Sequence, residues 1–170
     1  MDAATAKSIA DFLIADFEHE MQTTQSVLAA VPTDRMDYKP DGKSKTGLGL
    51  VRHLPLEAEW LLNSIADGRF DPPPDDSDAC GIMNPSDAAG RYKDRIPAAL
   101  ARVKGMSGAD LMKIIDLFGM IQMPAVNFIS MAIKHEVHHR GQLSTYLRPM
   151  GGKVPGIYGP SADTREAQAG

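Results

Sequence analysis

The stretch Ala132–Gly152, AIKHEVHHRGQLSTYLRPMGG, carries three of the chain's five histidines and admits two readings that lead to different folds. Residues 135–139, HEVHH, satisfy the HExxH pattern of zinc metalloproteases, with His135 and His139 as ligands and Glu136 as general base. The same residues also fit two ligands of a metal site inside a helical bundle.

Helical geometry says what each reading needs. At about 100° per residue, Phe128, Met131, Ala132, His135, His139, Gln142, Leu143 and Tyr146 share one face of the last helix, the face expected to be buried. His135 and His139 are four residues apart, so their Cβ atoms stand about 5–6 Å from each other and both imidazoles can reach one ion. Glu136 lies about 100° to one side of this axis and His138 roughly 60° to the other, so both are expected to flank the site. Arg140 lies about 140° away, where a salt bridge is expected ahead of contact with an anionic substrate. The extended protease motif wants a glycine three residues and a histidine six residues after the second ligand. Those places hold Gln142 and Thr145. No histidine follows His139, and the carboxylates beyond it, Asp163 and Glu166, fall in a tail expected to be disordered. With no convincing edge strand to hold a peptide, the HExxH zinc protease is the weakest reading.

The rest of the chain favours the bundle. Apolar residues at helical spacing (Ile9, Leu13, Phe17, Met21, Leu28) predict a long helix from about Thr5 to Ala30, ended by Val31-Pro32. A loop rich in Pro, Gly, Asp and Lys follows. A second helix is expected to begin at Ser44 or Thr46 and to stop at Gly68, with Pro55 producing a kink or a late start close to His53. The linker RFDPPPDDSDACGIMN is too rich in proline and aspartate for a regular element, and its acidic run reads as a solvated loop rather than a calcium site. Pro85-Ser86-Asp87 is expected to cap a third helix, interrupted at Pro97. Ser107–Asp110 opens a shorter segment read as helix, although Ile114-Ile115 and Leu117-Phe118 also suit a strand. The last helix runs from about Pro124 to Pro149. Together these predict an all-α four-helix bundle with a long crossover connection, a single domain over residues 1–152, and an extended tail over 153–170.

Composition restricts the function classes. The 170 residues are 43% hydrophobic and 24% charged, with a net charge of −4. That charge gives no electrostatic footprint for nucleic acid. No apolar run has the roughly 18 residues that a membrane span needs, and MDAATAKSIADF has no secretory pattern, so a cytoplasmic protein is expected. The single cysteine, Cys80, excludes an internal disulfide and any CxxC pair.

A metal site needs a third ligand. His19 and His53 are the remaining histidines. His53 follows Leu50-Val51 on a helix whose inner face includes Leu54, Trp60 and Leu61, and is the better candidate. Three neutral imidazoles from two facing helices leave coordination positions open, as catalytic sites do. Gln142 reads as a partner for a metal-bound water or a packing residue, and Tyr146 as a phenol near the site or a core tyrosine. Glu136 and Glu57 are equally placed to accept from an imidazole N–H. Gly141 reads as a close-packing position.

The motif HEVHHRGQLSTYLRPMGGKVPGIYGPS closely resembles the last helix and tail of the DinB/YfiT-like metalloenzymes, in which a histidine pair precedes Arg-Gly-Gln and the tail ends near Tyr-Gly-Pro. Residues 19–68 resemble the first two helices of that family, with a Lys-Ser pair and a histidine early in helix two. The resemblance implies a four-helix bundle holding zinc or nickel through His53, His135 and His139, often as a homodimer. It also implies a metal-dependent transferase of low-molecular-weight thiols or a small-molecule hydrolase. The alternative is a non-catalytic helical dimerisation module with a structural metal or none.

Overall fold

A computed structural model of the chain describes residues 1–169. Four long helices dominate it: α1 (Ala3–Ala29), α2 (Gly47–Asp67), α3 (Pro85–Lys104) and α5 (Ala125–Leu147). Between the last two lie one turn of helix, α4 (Gly108–Leu111), and two short strands, β1 (Ile114–Leu117) and β2 (Ile121–Pro124). A final helix, α6 (Ala162–Ala169), occupies the tail. No helix among the described residues is long and apolar enough to cross a membrane.

Local chemistry sets the ends of these elements. The side chains of Asp2, Thr46, Asn84 and Ser107 each accept a hydrogen bond from the backbone N–H three residues on, the usual way an exposed helix start is satisfied. Helix α2 therefore starts at Thr46, not late near His53, and runs unbroken through the buried Pro55. Helix α3 is capped by Asn84, with Pro85 in its first turn where a missing N–H costs nothing. Pro97 does not interrupt it. The segment after Leu111 corrects the helical expectation. The β-branched Ile114-Ile115 pairs with Met123-Pro124 in an antiparallel hairpin whose turn carries Phe118 and Gly119 at positive φ. In the tail, expected to be extended over 153–170, residues 162–169 form α6, which Asp163 joins to the bundle through Val154 N and Arg148. Residue 170 lies outside the described residues.

Each long helix packs on two others, in the cyclic order α1, α3, α2, α5. The long connection is the α2–α3 linker, and its hydrogen bonds show its path. Trp60 Nε1 donates to Asp71 O near the end of α2, while Arg52 near its start donates to Asp76 O and Ile82 O and pairs with Asp78. The linker thus retraces α2, and α3 begins beside the beginning of α2. Pairs Arg91–Glu59 and Arg102–Asp67 continue this parallel register. The acidic run stays exposed, as expected of a solvated loop, and the buried Arg52 ties it to the bundle.

The core line of α1 is Ala6, Ala10, Ile14 and Phe17. It is displaced from the expected Ile9, Leu13 and Met21: Ala6 and Ala10 are fully buried, while Ile9 stays 38% exposed. Gly141 is not a close-packing position either: a Cβ there would meet nothing within 4 Å.

A polar network fills the space among α1, α3 and α5. Arg140, 1% exposed, pairs with Glu20 at 2.5 Å and donates to Thr24 Oγ1 and to Tyr158 of the tail. Thr24 and Tyr92 in turn donate to Glu136 Oε1. Removing one partner of such a pair strands the other charge in the interior. Arg140→Met is expected to lower the unfolding free energy by about 3 kcal/mol, read from urea titration. A loss below about 1 kcal/mol would place the pair among weak surface bridges.

Candidate metal centre

His53 lies two turns into α2, and His135 and His139 lie at and just past the middle of α5. The two helices run antiparallel, so the start of one faces the end of the other. One ligand nitrogen from each of the three histidines lies within 4.8 Å of the other two. Ring centroids are 5.1 Å apart for His53 and His135, 4.2 Å for His53 and His139, and 4.5 Å for His135 and His139. Nitrogens held by one tetrahedral ion stand about 3.3 Å apart, a distance that rotation of the rings can supply.

The fit of these residues to a cation can be judged on their nitrogens. His53 Nε2 is buried and has no hydrogen-bond partner, an arrangement that costs free energy unless something else fills the position. His139 Nδ1 lies 2.6 Å from Gln142 Oε1, so its N–H donates there and Nε2 carries the free lone pair. Burial, reinforced by the neighbouring His139 and His135, holds the His53 pKa down at about 3. Burial and the His139 and His138 rings hold His135 at about 4. Burial lowers His139 as well, opposed by its bond to Gln142. All three are therefore neutral near pH 7, the state that ligates a divalent ion.

The flanking residues divide differently from the sequence expectation. Glu136 does not flank the histidines. It points from a face about 100° round α5 into the Thr24–Tyr92 network, is 3% exposed, and its carboxyl is held above the usual range by burial. It is neither an acceptor for an imidazole nor placed as the base of an HExxH protease. Gln142 Oε1 holds the ring of His139, an orienting role that the sequence expectation gives to glutamates. Glu57, one turn beyond His53, has Oε1 3.9 Å from His53 Nδ1, beyond direct hydrogen-bonding reach. Burial raises its pKa. Tyr146 belongs to the core and donates to Lys45 O at 3.2 Å while its ring meets Tyr38 edge-on. His138 and His19 are exposed and stand outside the cluster. Arg140 makes the expected salt bridge, but buried.

Sequence reasoning missed two residues at this end of the bundle. Lys45, just before the cap of α2, pairs with Asp76 of the linker at 2.8 Å. Their contact follows from the linker's return along α2, which Arg52 fixes; a buried arginine beside a histidine was the available signal.

Comparisons with known proteins agree with this fold. The model of the DinB family matches residues 9–169. The uncharacterized protein YrdA of Bacillus subtilis strain 168 is 27% identical over 157 residues, 90% of each chain. The uncharacterized protein YjoA of the same strain is 24% identical over 142 residues, covering 82% of this chain and 89% of the relative. A crystal structure of a DinB-like protein from Bacillus cereus ATCC 10987 superposes with a TM-score of 0.70 at 25% identity, covering 86% of this chain and 95% of that one. The crystal structure of YjoA gives 0.66 at 21% identity, covering 88% and 99%.

The depressed histidine pKa values fix the sign of a pH effect. The unfolded chain takes up protons near pH 6.5, whereas the folded one resists until about 4 for His135 and 3 for His53. This contribution to stability is full above pH 6.5 and is lost as the pH falls through that window. The urea midpoint of metal-free protein is expected to drop between pH 7 and pH 5, and to drop less in a His53→Gln/His135→Gln variant. Equal drops in both proteins would disprove the assignment to these rings.

Proposed function

The chain belongs to the DinB family, and on that premise we propose that it binds a divalent ion, zinc or nickel, through His53, His135 and His139. We further propose that it acts as a transferase of low-molecular-weight thiols or as a small-molecule hydrolase. The observation that carries this reading is the convergence of three neutral imidazoles, one with a buried, unpartnered nitrogen, on one point between α2 and α5. The donor set suits both metals. When bound, the ion supplies Lewis acidity and a positive field that favours an anionic nucleophile such as thiolate or hydroxide.

The chain's own residues supply the remaining parts. Three neutral ligands leave the charge of a cation uncompensated, unlike a site built from carboxylates. Gln142 fixes the ring of His139. Glu57 is the carboxyl nearest His53 Nδ1 and can hold a proton beside the site. The packed Leu50, Leu54 and Leu143 keep water from the inner side. A protease would need Glu136 on the histidine side, and that residue is committed to the interior.

Metal content tests the reading. Untagged wild-type protein is expected to carry about one zinc or nickel per chain by inductively coupled plasma mass spectrometry, a stoichiometry that one three-ligand site fixes. His135→Ala/His139→Ala should carry none while retaining its helical circular dichroism. A wild type that neither contains metal nor takes up added zinc or nickel would leave the alternative, a helical dimerisation module.

An apolar strip supports pairing of two copies alongside either reading. Phe12 is 73% exposed on α1 beside Ile9, and next to them runs a groove lined by Leu13, Val126 and Met131. We propose a homodimer through this face. Light scattering should give twice the chain mass for wild type and the chain mass for Phe12→Glu; identical masses for both would remove this strip from the interface.

A further inference from the structure

At the metal-site end of the bundle, two segments that are distant in sequence put opposite charges side by side. Lys45 ends the loop before α2, and Asp76 lies midway along the returning linker. Their backbones are both tied down: Lys45 O accepts from Tyr146 Oη, and Asp76 O accepts from Arg52 Nη1 at 3.2 Å. Tyr146 stands two turns beyond His139 on the same helix face, and Arg52 is the residue before His53. The tethers therefore belong to the same helical stretches as the ligands. The Lys45 and Asp76 side chains are 41% and 48% exposed.

An exposed ion pair contributes little to stability, so this one is not needed to hold the linker; Arg52 does that. It leaves a positioned cation at the histidine end of the bundle whose partner can be replaced at small cost. We propose that Lys45 is a specificity-determining residue that binds the carboxylate of an anionic substrate, a small carboxylate-bearing thiol, with Asp76 occupying that position until the substrate displaces it. The inference rests on the metal-dependent reading above and narrows its substrate class. No bond is made or broken: one carboxylate replaces another on the Lys45 ammonium.

The geometry assigns no such role to the other cationic groups nearby. Arg52 is spent on Asp76 O, Asp78 and Ile82 O, and Arg140 faces the opposite side of α5. Arg52 is thus held by two backbone carbonyls as well as by Asp78, whereas the Lys45 ammonium donates to the exposed Asp76 carboxylate alone.

The test uses full-length protein loaded with cobalt, whose visible bands report the coordination sphere and whose sulfur charge-transfer band reports thiol binding. Wild type, Lys45→Met, Lys45→Arg and Asp76→Asn are titrated with β-mercaptopropionate and with its uncharged amide of the same length. Lys45→Met should weaken the carboxylate thiol about tenfold, the scale of one charge-assisted hydrogen bond, and leave the amide within about twofold. Lys45→Arg should retain the preference, and Asp76→Asn should strengthen the carboxylate thiol alone. Equal changes for both thiols, or no change, in Lys45→Met would overturn the role of Lys45 while the cobalt bands still uphold the metal site. Absence of those bands before any thiol is added would overturn the metal reading and this inference with it.

Discussion

The rotation of α5 about its own axis is the constraint on which the site depends, and the buried Arg140–Glu20 pair sets it. A helix that packs on two neighbours could turn by tens of degrees without losing much apolar contact. Here Arg140 and Glu136 must meet Glu20, Thr24 and Tyr92, because a charged or polar group left alone in the interior costs several kcal/mol. With that face fixed against α1 and α3, His135 and His139 can face only α2. Packing energy holds the bundle together, while the polar network selects which residues meet. The network also reaches the tail, since Tyr158 Oη lies between Arg140 and Glu20 and the Arg140 guanidinium sits over its ring.

This division explains why the five-letter protease match misleads. In a zincin the glutamate between the histidines must look toward the metal. On a straight helix, residues i and i+1 are separated by about 100°, and the neighbours of α5 decide which side of the histidines becomes interior. The sequence pattern is therefore shared by two arrangements whose difference lies in the partners of Glu136. Those partners come from α1 and α3, more than forty residues away in the chain.

The bundle itself was legible because helical periodicity is a local property: four long segments, their capping residues and the histidine spacing follow from short windows of sequence. His53, His135 and His139 were legible for the same reason, each lying on an apolar face. The hairpin at residues 114–124 was not legible outright, only as an alternative to helix, since a short apolar run fits strand and helix equally and its β-branched pair was outweighed by the helical surroundings. Nor were the partners of polar residues. Glu136, Glu57 and Gln142 each lie within reach of the histidines on a helical wheel, and only the positions of α1, α2 and α3 assign Glu136 inward and Gln142 to His139. The path of the linker was equally hidden, because composition says that a proline- and aspartate-rich segment is irregular but not where it goes. Arg52, hydrophilic yet buried, is the residue whose partners record that path.

The chain's single tryptophan sits where three otherwise separate parts of the fold converge. Trp60 donates to Asp71 O at the point where the linker leaves α2, packs on Phe70 of that linker, and stacks toward Phe118 at the tip of the hairpin. Phe70 in turn meets Phe128 of α5. One indole thus senses helix, linker and hairpin together, and it lies two turns from His53 on the same helix. Its fluorescence is a built-in optical gauge of whether the irregular segments are seated, and it is read from the same helix that carries the ligand without disturbing the histidines themselves.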